Sequence, residues 1–456
     1  MKKNVRKAGI ILFWLLAWQI LAILCDNQIL VAGPIAVLES LSGQIFTLVF
    51  WQSISGSFVK IAVGFGGAFL LALLTAVIAF RWKLFEDFLA PLLQVMKSVP
   101  VASLVVLLLI WTGAEMLAFW VVFLLVFPLI YFGTLEGLKN TDIKMKQLAD
   151  VYGMSLYNRL IYLYRPVVFP FLISSCKSAL GMSWKAGIAA EVIGVPELSI
   201  GEKIYMSKIY LDTANLFAWT LVIILISYIF EHAVLFLLKK VAYKAYEPGE
   251  NKNLQKETES LALKDVQIGY EKDNVLVTVS GQLKAGERYG VMGASGIGKT
   301  SFFHTLLSII KPVRGEILGE GRMSVVFQED RLFEKEDALT NVWMMCKKNH
   351  TKDEVEKALA FLIGEEHIHK PAGMLSGGMK RRVCVCRAMM AESNVILMDE
   401  PFTGMDEEVK NKTISYIKEH LDARIFLFST HQEEDLERLE ATKCEIIGIN
   451  EKTLVF

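Results

Sequence analysis

The run Gly293-Ala-Ser-Gly-Ile-Gly-Lys-Thr300 constrains this chain most, because it matches the phosphate-loop pattern G-x-x-x-x-G-K-[ST] in full. Its surroundings are those the pattern requires. The residues Tyr289-Gly-Val-Met292 read as a buried strand before the loop, and 301–310 read as a helix after it. Glycines let the backbone curl so that consecutive N–H groups and a helix N-terminus face a phosphate chain, while Lys299 adds a mobile positive charge. Gly293, Ser295, Gly296, Gly298, Lys299, Thr300 and Ser301 are the expected phosphate-binding set, with Thr300 placed to ligate Mg²⁺.

Such a loop sits in a soluble α/β domain, yet the whole chain is too apolar for a soluble protein. Its mean hydropathy is +0.41, and 53 % of its 456 residues are hydrophobic while 21 % are charged. Those averages combine two unlike halves. Apolar runs of membrane-spanning length fill the region before about residue 240, and Lys/Glu-rich sequence follows. Net charge is zero, so nothing in the composition calls for nucleic acid as a partner. Cys25, Cys176, Cys346, Cys384, Cys386 and Cys444 show no zinc-site spacing and read as reduced structural thiols. His367 and His369 form an H-x-H with no second ligand pair nearby, which reads as an exposed turn.

A hydrocarbon core of about 30 Å needs roughly 20 apolar residues per helix. Six stretches meet or approach that length: 8–25, 54–80, 88–112, 117–135, 166–190 and 214–238. The basic N-terminus followed by the first apolar run resembles a signal peptide, but further spans follow without a small-x-small cleavage site, so it is expected to be retained. Clusters at Lys2, Lys3, Arg6 and Lys7, at Arg81 and Lys83, from Lys139 to Arg165, and at Lys239, Lys240 and Lys244 alternate with a loop, 26–53, that has no Lys or Arg. Six spans with both termini in the cytosol satisfy the positive-inside rule. Lys97 and Lys185 fall inside expected spans, where a charge should face a bundle interior, an aqueous path or a carboxylate such as Glu191.

The loop between the fourth and fifth spans has its own helical period from Asp142 to Tyr164, as a cytosolic element with something to touch would. Its Gln147-Leu-Ala-Asp-Val-Tyr-Gly153, with Pro166 beyond, resembles the E-A-A-x-x-x-G loop of importer-type ABC permeases, which implies a coupling helix seated on an ATPase. Ala149, Gly153 and Pro166 fit that pattern, whereas Gln147 and Leu148 replace the usual Glu and Ala. The segments 98–103, 111–115 and 179–191 are similar to permeases that import sulfonates, taurine, nitrate and related small anions. Residues 243–260 are polar, contain Pro248-Gly249 and have no apolar period, so they read as a linker.

After the linker, short strand-like runs alternate with helices, as in an α/β domain with a mostly parallel sheet. The motifs resemble those of ABC ATPases in kind and in order. The resemblance implies that Tyr270 stacks on adenine, that Gln328 contacts Mg²⁺ or the attacking water, and that Ser376, Gly377 and Gly378 of Leu375-Ser-Gly-Gly-Met379 meet the γ-phosphate held by a second subunit. Met379 stands in place of the usual Gln. Val395-Ile-Leu-Met-Asp-Glu400 is a buried strand ending in two acids, with Asp399 the implied Mg²⁺ partner and Glu400 the base that polarises water. Asp406 closes the following loop toward the nucleotide, and His431 is the implied γ-phosphate switch. The stretch after His431 is expected to be too short for an appended regulatory domain.

The expected protein is multidomain: an all-α six-span permease of the type I importer kind over 1–242, a linker over 243–260, and an α/β P-loop ABC ATPase over 261–456. It would hydrolyse ATP with Mg²⁺ and work as a homodimer in the lipid bilayer of the cytoplasmic (inner) membrane, with the ATPase in the cytosol. A separate extracytoplasmic binding protein would deliver a small polar or anionic solute. The alternatives are an ABC exporter, disfavoured by the short inter-span loops, and a membrane-tethered regulatory ATPase without transport.

Overall fold

The computed structural model describes residues 2–25, 30–251, 260–271, 274–294, 296–319, 321–445 and 453–455. Two compact units result, and the chain crosses between them more than once. The first comprises residues 1–140 and 166–244, the second 141–165 and 245–456.

The first unit is helical. In chain order come α1 (Lys2–Cys25), α2 (Pro34–Gln44), α3 (Leu48–Arg81), α4 (Lys83–Ser98) and α5 (Val101–Lys139). After an excursion into the second unit, which carries α6 (Ile143–Val151) and α7 (Leu156–Asn158), follow α8 (Arg165–Gly194), α9 (Ile200–Ile209) and α10 (Thr213–Tyr243). Among the described residues four helical runs are long and apolar enough to cross a membrane: Leu48–Arg81, Val101–Lys139, Leu156–Gly194 and Thr213–Tyr243. Ser53, Ser57, Ile61, Gly64, Ala68, Ala72, Ala76 and Ala79 form one buried stripe along α3. Small residues at helical spacing let backbones approach closely where lipid supplies no hydrophobic drive.

The expectation of an unbroken third span over 88–112 needs correction. That stretch is cut at Val99, which is extended (ψ 126°) ahead of Pro100. A proline ring clashes with the preceding residue in the α region, so the helix ends there. A second break follows at Gly113 (φ 72°), inside α5. Of the two lysines expected within spans, Lys185 falls in the apolar run Leu156–Gly194 and Lys97 just before the break at Val99. Lys97 lies in the last turn of α4 and is exposed, with Nζ 4.6 Å from the Phe132 ring centre. Lys185 is exposed on α8.

Opposite ends of the bundle hold different polar links. At one, Glu86 accepts from Lys139 at 2.6 Å and pairs with Lys83 at 3.4 Å, joining two of the basic clusters seen in the sequence. At the other, Lys60 meets Glu115 at 2.6 Å, and Ser57 Oγ donates to the fully buried Glu191 at 2.6 Å.

The second unit holds two sheets. Strands β1 (Ser260–Glu271), β2 (Asn274–Lys284), β4 (Arg314–Leu318) and β9 (Thr453–Val455) form one in the order β4-β1-β2-β9. Strands β3 (Arg288–Met292), β5 (Met323–Val326), β6 (Val395–Asp399), β7 (Ile425–Ser429) and β8 (Thr442–Glu445) form the other, wholly parallel, in the order β5-β6-β7-β3-β8. Every residue of β6 and β7 is buried, as the continuous apolar runs require of central parallel strands covered on both faces. Helices α11 (Lys299–Leu306), α12 (Ala338–Cys346), α13 (Lys352–Ile363), α14 (Gly377–Met390), α15 (Glu407–His420) and α16 (Glu433–Leu439) complete the unit.

Candidate functional site

The site lies where β3, β6 and β7 end together. Their parallel register sets Asp399 opposite Ser429 and Val291 opposite Ser429. The ends of all three strands therefore converge, the usual place for ligands on an open parallel sheet.

From β3 the chain enters the phosphate loop, where Gly293 (φ 152°), Gly296 (φ 76°) and Gly298 (φ 116°) all have the left-handed backbone that side chains resist. Lys299 opens α11 and is buried, its Nζ donating to the carbonyls of Gly293 at 2.7 Å and Ala294 at 3.3 Å. Burial holds the Lys299 ammonium below the ordinary lysine range, against the opposing pull of Glu400 and Asp399. Ser295 lies outside the described residues, as does the side chain of Tyr270.

From β6 come the two acids. Asp399 accepts from Thr300 Oγ1 at 2.7 Å on one oxygen and from Ser429 Oγ at 2.6 Å on the other. Ser429 Oγ also accepts from the Glu400 backbone N–H at 2.9 Å. Glu400 itself has φ 50°, an uncommon conformation for a side-chain-bearing residue and one that clusters at functional sites. Its Oε1 lies 3.2 Å from His431 Nε2, and that nitrogen is 3.5 Å from Lys299 Nζ. Thus Lys299, Thr300, Asp399, Glu400 and His431 meet in one cluster. The oxygens of Thr300 and Asp399 converge as the hard-oxygen donor set that Mg²⁺ prefers.

Other expected site residues are placed by backbone contacts. Ser376 caps α14, its Oγ accepting from Met379 N at 3.3 Å. Gly378 lies beside Gly404, so the signature and the loop after β6 are neighbours; a Cβ on Gly378 would stand 3.4 Å from the Gly404 carbonyl. Asp406 caps α15 through Val409 N at 2.9 Å. Gln328 is exposed, and its carbonyl accepts from Arg381 Nη2 at 2.9 Å.

Arg381 is a residue the sequence reading passed over. Buried in α14, it also bonds the Phe327 carbonyl, Asp399 O at 3.2 Å and Glu400 O at 3.1 Å, and pairs with Asp330 at 3.3 Å. A single guanidinium therefore ties the signature helix, the Gln328 loop and the acid-bearing strand end. Ser429 was passed over too, although a lone hydroxyl ending an apolar strand two residues before His431 is a usable signal.

The loop 141–165 packs in this same unit. Asp142 caps α6, whose Leu148 and Ala149 are fully buried. Gln147 Oε1 accepts from Arg331 Nη1 at 2.9 Å, so the amide in place of Glu still accepts a hydrogen bond from a guanidinium. The Arg331 guanidinium stacks 3.6 Å from the Phe327 ring centre. Lys144 pairs with Glu329 at 2.6 Å, and Tyr152 OH donates to Val325 O at 3.0 Å while accepting Val325 N at 3.2 Å. Arg387 of α14 lies 5.4 Å from the Tyr152 ring centre and bonds Arg331 O at 2.7 Å. The loop therefore touches both the segment after β5 and the signature helix. Gly153 turns with φ 60°, as its place in the loop pattern suggests.

Fold and site together define a helical membrane domain followed by an α/β nucleotide-binding domain of the ABC type. The family model "ABC transporter" matches residues 276–403, and the model "Binding-protein-dependent transport system inner membrane component" matches residues 68–245. One polypeptide therefore carries both a permease-type helical region and an ABC-type ATPase region. Among curated proteins it is 27 % identical over 192 residues to "Spermidine/putrescine import ATP-binding protein PotA" of Thermotoga maritima, covering 38 % of this chain and 52 % of that one. It is 28 % identical over 228 residues to "Phosphonates import ATP-binding protein PhnC" of Treponema denticola, covering 43 % and 88 %. This chain thus spans about half the length of the first relative. Among solved structures, a dimeric bacterial ABC transporter cassette, MJ0796, aligns with a TM-score of 0.37 at 22 % identity, covering 43 % of this chain and 94 % of that one.

Proposed function

We propose that this chain imports a small anionic solute, of the sulfonate, taurine or nitrate kind, as a homodimer served by a separate extracytoplasmic binding protein. The ATPase domain faces the cytosol of a cell bounded by the cytoplasmic membrane. The observation that carries the reading is the seating of α6 within the ATPase unit, with Leu148 and Ala149 buried and Gln147 bonded to Arg331. An importer-type permease needs such a loop to convert nucleotide-driven closure into movement of its helices.

ATP is bound by the 293–301 loop, with Lys299 drawn from its own loop carbonyls onto the terminal phosphates. Mg²⁺, when bound, would be held by Thr300 and Asp399, with Gln328 as a further contact to it or to the attacking water, and it would neutralise charge on the phosphates. Glu400 takes the proton of the attacking water, and His431 beside it steadies the γ-phosphate. Ser376, Gly377 and Gly378 present a hydroxyl and free N–H groups at a helix start to the phosphate of a second copy. Tyr270 stacks on the base and Asp406 completes the facing surface. The solute drives the switch only through its different affinity for the two states of the permease.

The test is ATP hydrolysis in proteoliposomes with a panel of sulfonates, phosphonates and polyamines, each with and without a candidate binding protein. The two named import relatives justify the last two members of the panel. Stimulation only by loaded binding protein is the expected result. Stimulation by free amphiphiles, with no response to any binding protein, would replace import by export.

A further inference from the structure

The polar segment after α10 has the composition of a flexible linker, yet Tyr246, Pro248, Gly249 and Asn251 are all hydrogen-bonded. Asn158, fully buried at the end of α7, donates from Nδ2 to Gly249 O at 2.8 Å and accepts Gly249 N on Oδ1 at 2.7 Å. The amide thereby imitates one rung of a β-ladder. The same Nδ2 lies 2.9 Å from Asn251 Oδ1, which also accepts Ser155 N at 3.1 Å. On the far side, Asn251 Nδ2 donates to Met344 O in α12 at 2.8 Å, and Lys347 Nζ donates to Pro248 O at 2.7 Å. Upstream, Tyr162 OH donates to Tyr246 O at 2.6 Å, and the Arg165 guanidinium lies 4.7 Å from the Tyr246 ring centre. A Cβ on Gly249 would fall 2.9 Å from Tyr157 Cδ1, so glycine permits the close approach.

We infer that residues 246–251 are a strap that fastens the coupling loop to the ATPase domain of its own chain, with Asn158 as its positioning residue. The inference rests on the coupling role proposed above for loop 141–165. A helix merely seated in a groove can be pushed by the groove but not pulled back by it. A strap bonded to Ser155, Asn158 and Tyr162 on one side and to Met344 and Lys347 on the other makes the joint act in both directions. Fusion of permease and ATPase then does more than keep the halves in one chain, because the joining residues become part of the transmission. Asparagine suits position 158 because it donates and accepts in one plane; aspartate keeps the bond from Gly249 N and loses the donors.

The experiment uses the full chain in proteoliposomes and compares wild type with Asn158→Asp, Asn158→Leu and Lys347→Met, which removes one strap bond from a half-buried lysine outside the coupling loop. Amide exchange at Gly249 reads the strap directly, and the ratio of solute moved to ATP hydrolysed reads the coupling. In wild type the Gly249 amide should be protected, and Asn158→Leu should speed its exchange by about tenfold, the equivalent of one lost hydrogen bond. Asn158→Asp should retain part of that protection. The transport-to-hydrolysis ratio should fall in the order Lys347→Met, Asn158→Asp, Asn158→Leu, while the KM for ATP stays unchanged. Exchange of wild-type Gly249 at free-peptide speed would overturn the strap, and lost protection with an unchanged ratio would overturn its coupling role. Should wild type move no solute at all, the import reading fails by itself, and the strap is still decided by exchange and by whether Lys347→Met and Asn158→Leu alter basal turnover.

Discussion

Arg381 reaches from the signature helix to the backbone carbonyl of Glu400 at 3.1 Å, and the same Nη2 also bonds Asp399 O at 3.2 Å. The acids are therefore held by a residue of the helix that opens at Ser376, so the position of the proposed base depends on the signature element. Arg381→Lys keeps the charge but loses the planar fork that serves several carbonyls at once. Leaving buried acceptors unpaired should cost about 1–3 kcal/mol of stability. A displaced Glu400 should lower hydrolysis by roughly 10²-fold. Denaturant unfolding and ATPase turnover on the same preparation test this, and unchanged turnover would reduce Arg381 to packing.

Glu400 stands at a φ of 50° with its carboxylate 3.2 Å from His431 Nε2. Glu400→Gln preserves shape and removes the base, so hydrolysis should fall by about 10²–10⁴-fold with nucleotide binding retained. Equilibrium ATP binding beside single-turnover hydrolysis makes the check. Loss of binding in parallel would mean that the carboxylate organises the pocket instead of acting on water.

Much of this site was legible because its chemistry is local in sequence: the phosphate loop, the acid pair on an apolar strand and the histidine after another such strand each announce a backbone geometry. What escaped was the long-range bonding. Nothing in the sequence around Arg381 says that a guanidinium from a helix N-terminal turn would reach carbonyls of 327, 328, 399 and 400, since backbone acceptors carry no residue signature. The membrane half shows the complementary weakness. Hydropathy marks apolar length but not where a helix breaks, so 88–112 reads as one span although the chain is broken at Val99-Pro100. Residues 246–251 escaped because polar, Pro/Gly-containing composition describes a free chain equally well as one whose backbone is captured by an asparagine.

Arg331 anchors loop 141–165, bonded to Gln147 and to Lys144 O at 3.3 Å while stacked on Phe327. Arg331→Met keeps the stacking bulk and deletes the donors. Basal hydrolysis should persist, and stimulation by loaded binding protein should be lost. Uptake and hydrolysis measured in the same vesicles would show it; equal losses in both would place the defect in the nucleotide site.

The Lys144 ammonium beside Glu329 holds its carboxyl below the ordinary range, chiefly by hydrogen bonding. A lowered carboxylate pKa adds stability above the unfolded value and loses it as pH falls through the folded value. The contribution is therefore constant through neutral pH and vanishes only in acid. Both groups are largely exposed, so it should amount to no more than about 1 kcal/mol. Glu329→Gln should remove it at neutral pH and flatten the acid limb of the stability profile; a wild-type acid limb in the variant would assign that limb to other carboxylates.

At the end of the bundle where α3, α8 and α9 meet, Glu191 is fully buried, with Oε2 accepting from Ser57 Oγ at 2.6 Å and from Gly201 N at 3.2 Å, while Oε1 has no hydrogen-bond partner. Ser57 Oγ in turn accepts from Ile200 N at 2.8 Å, so one serine and one carboxyl hold the start of α9. The approach is close enough that a Cβ on Gly201 would lie 2.2 Å from Glu191 Cβ and 2.5 Å from its carbonyl carbon. Because the obstacle is backbone, Gly201→Ala cannot be relieved by a rotamer change, and α9 must move. Overpacking of this kind costs typically about 1–3 kcal/mol. The expected outcome is a lowered unfolding temperature of the membrane domain with unchanged basal ATPase activity. Ser57→Ala should weaken the same joint without steric clash. If both variants unfold as wild type does, the polar lock at Glu191 is dispensable and α9 is held by its apolar contacts alone.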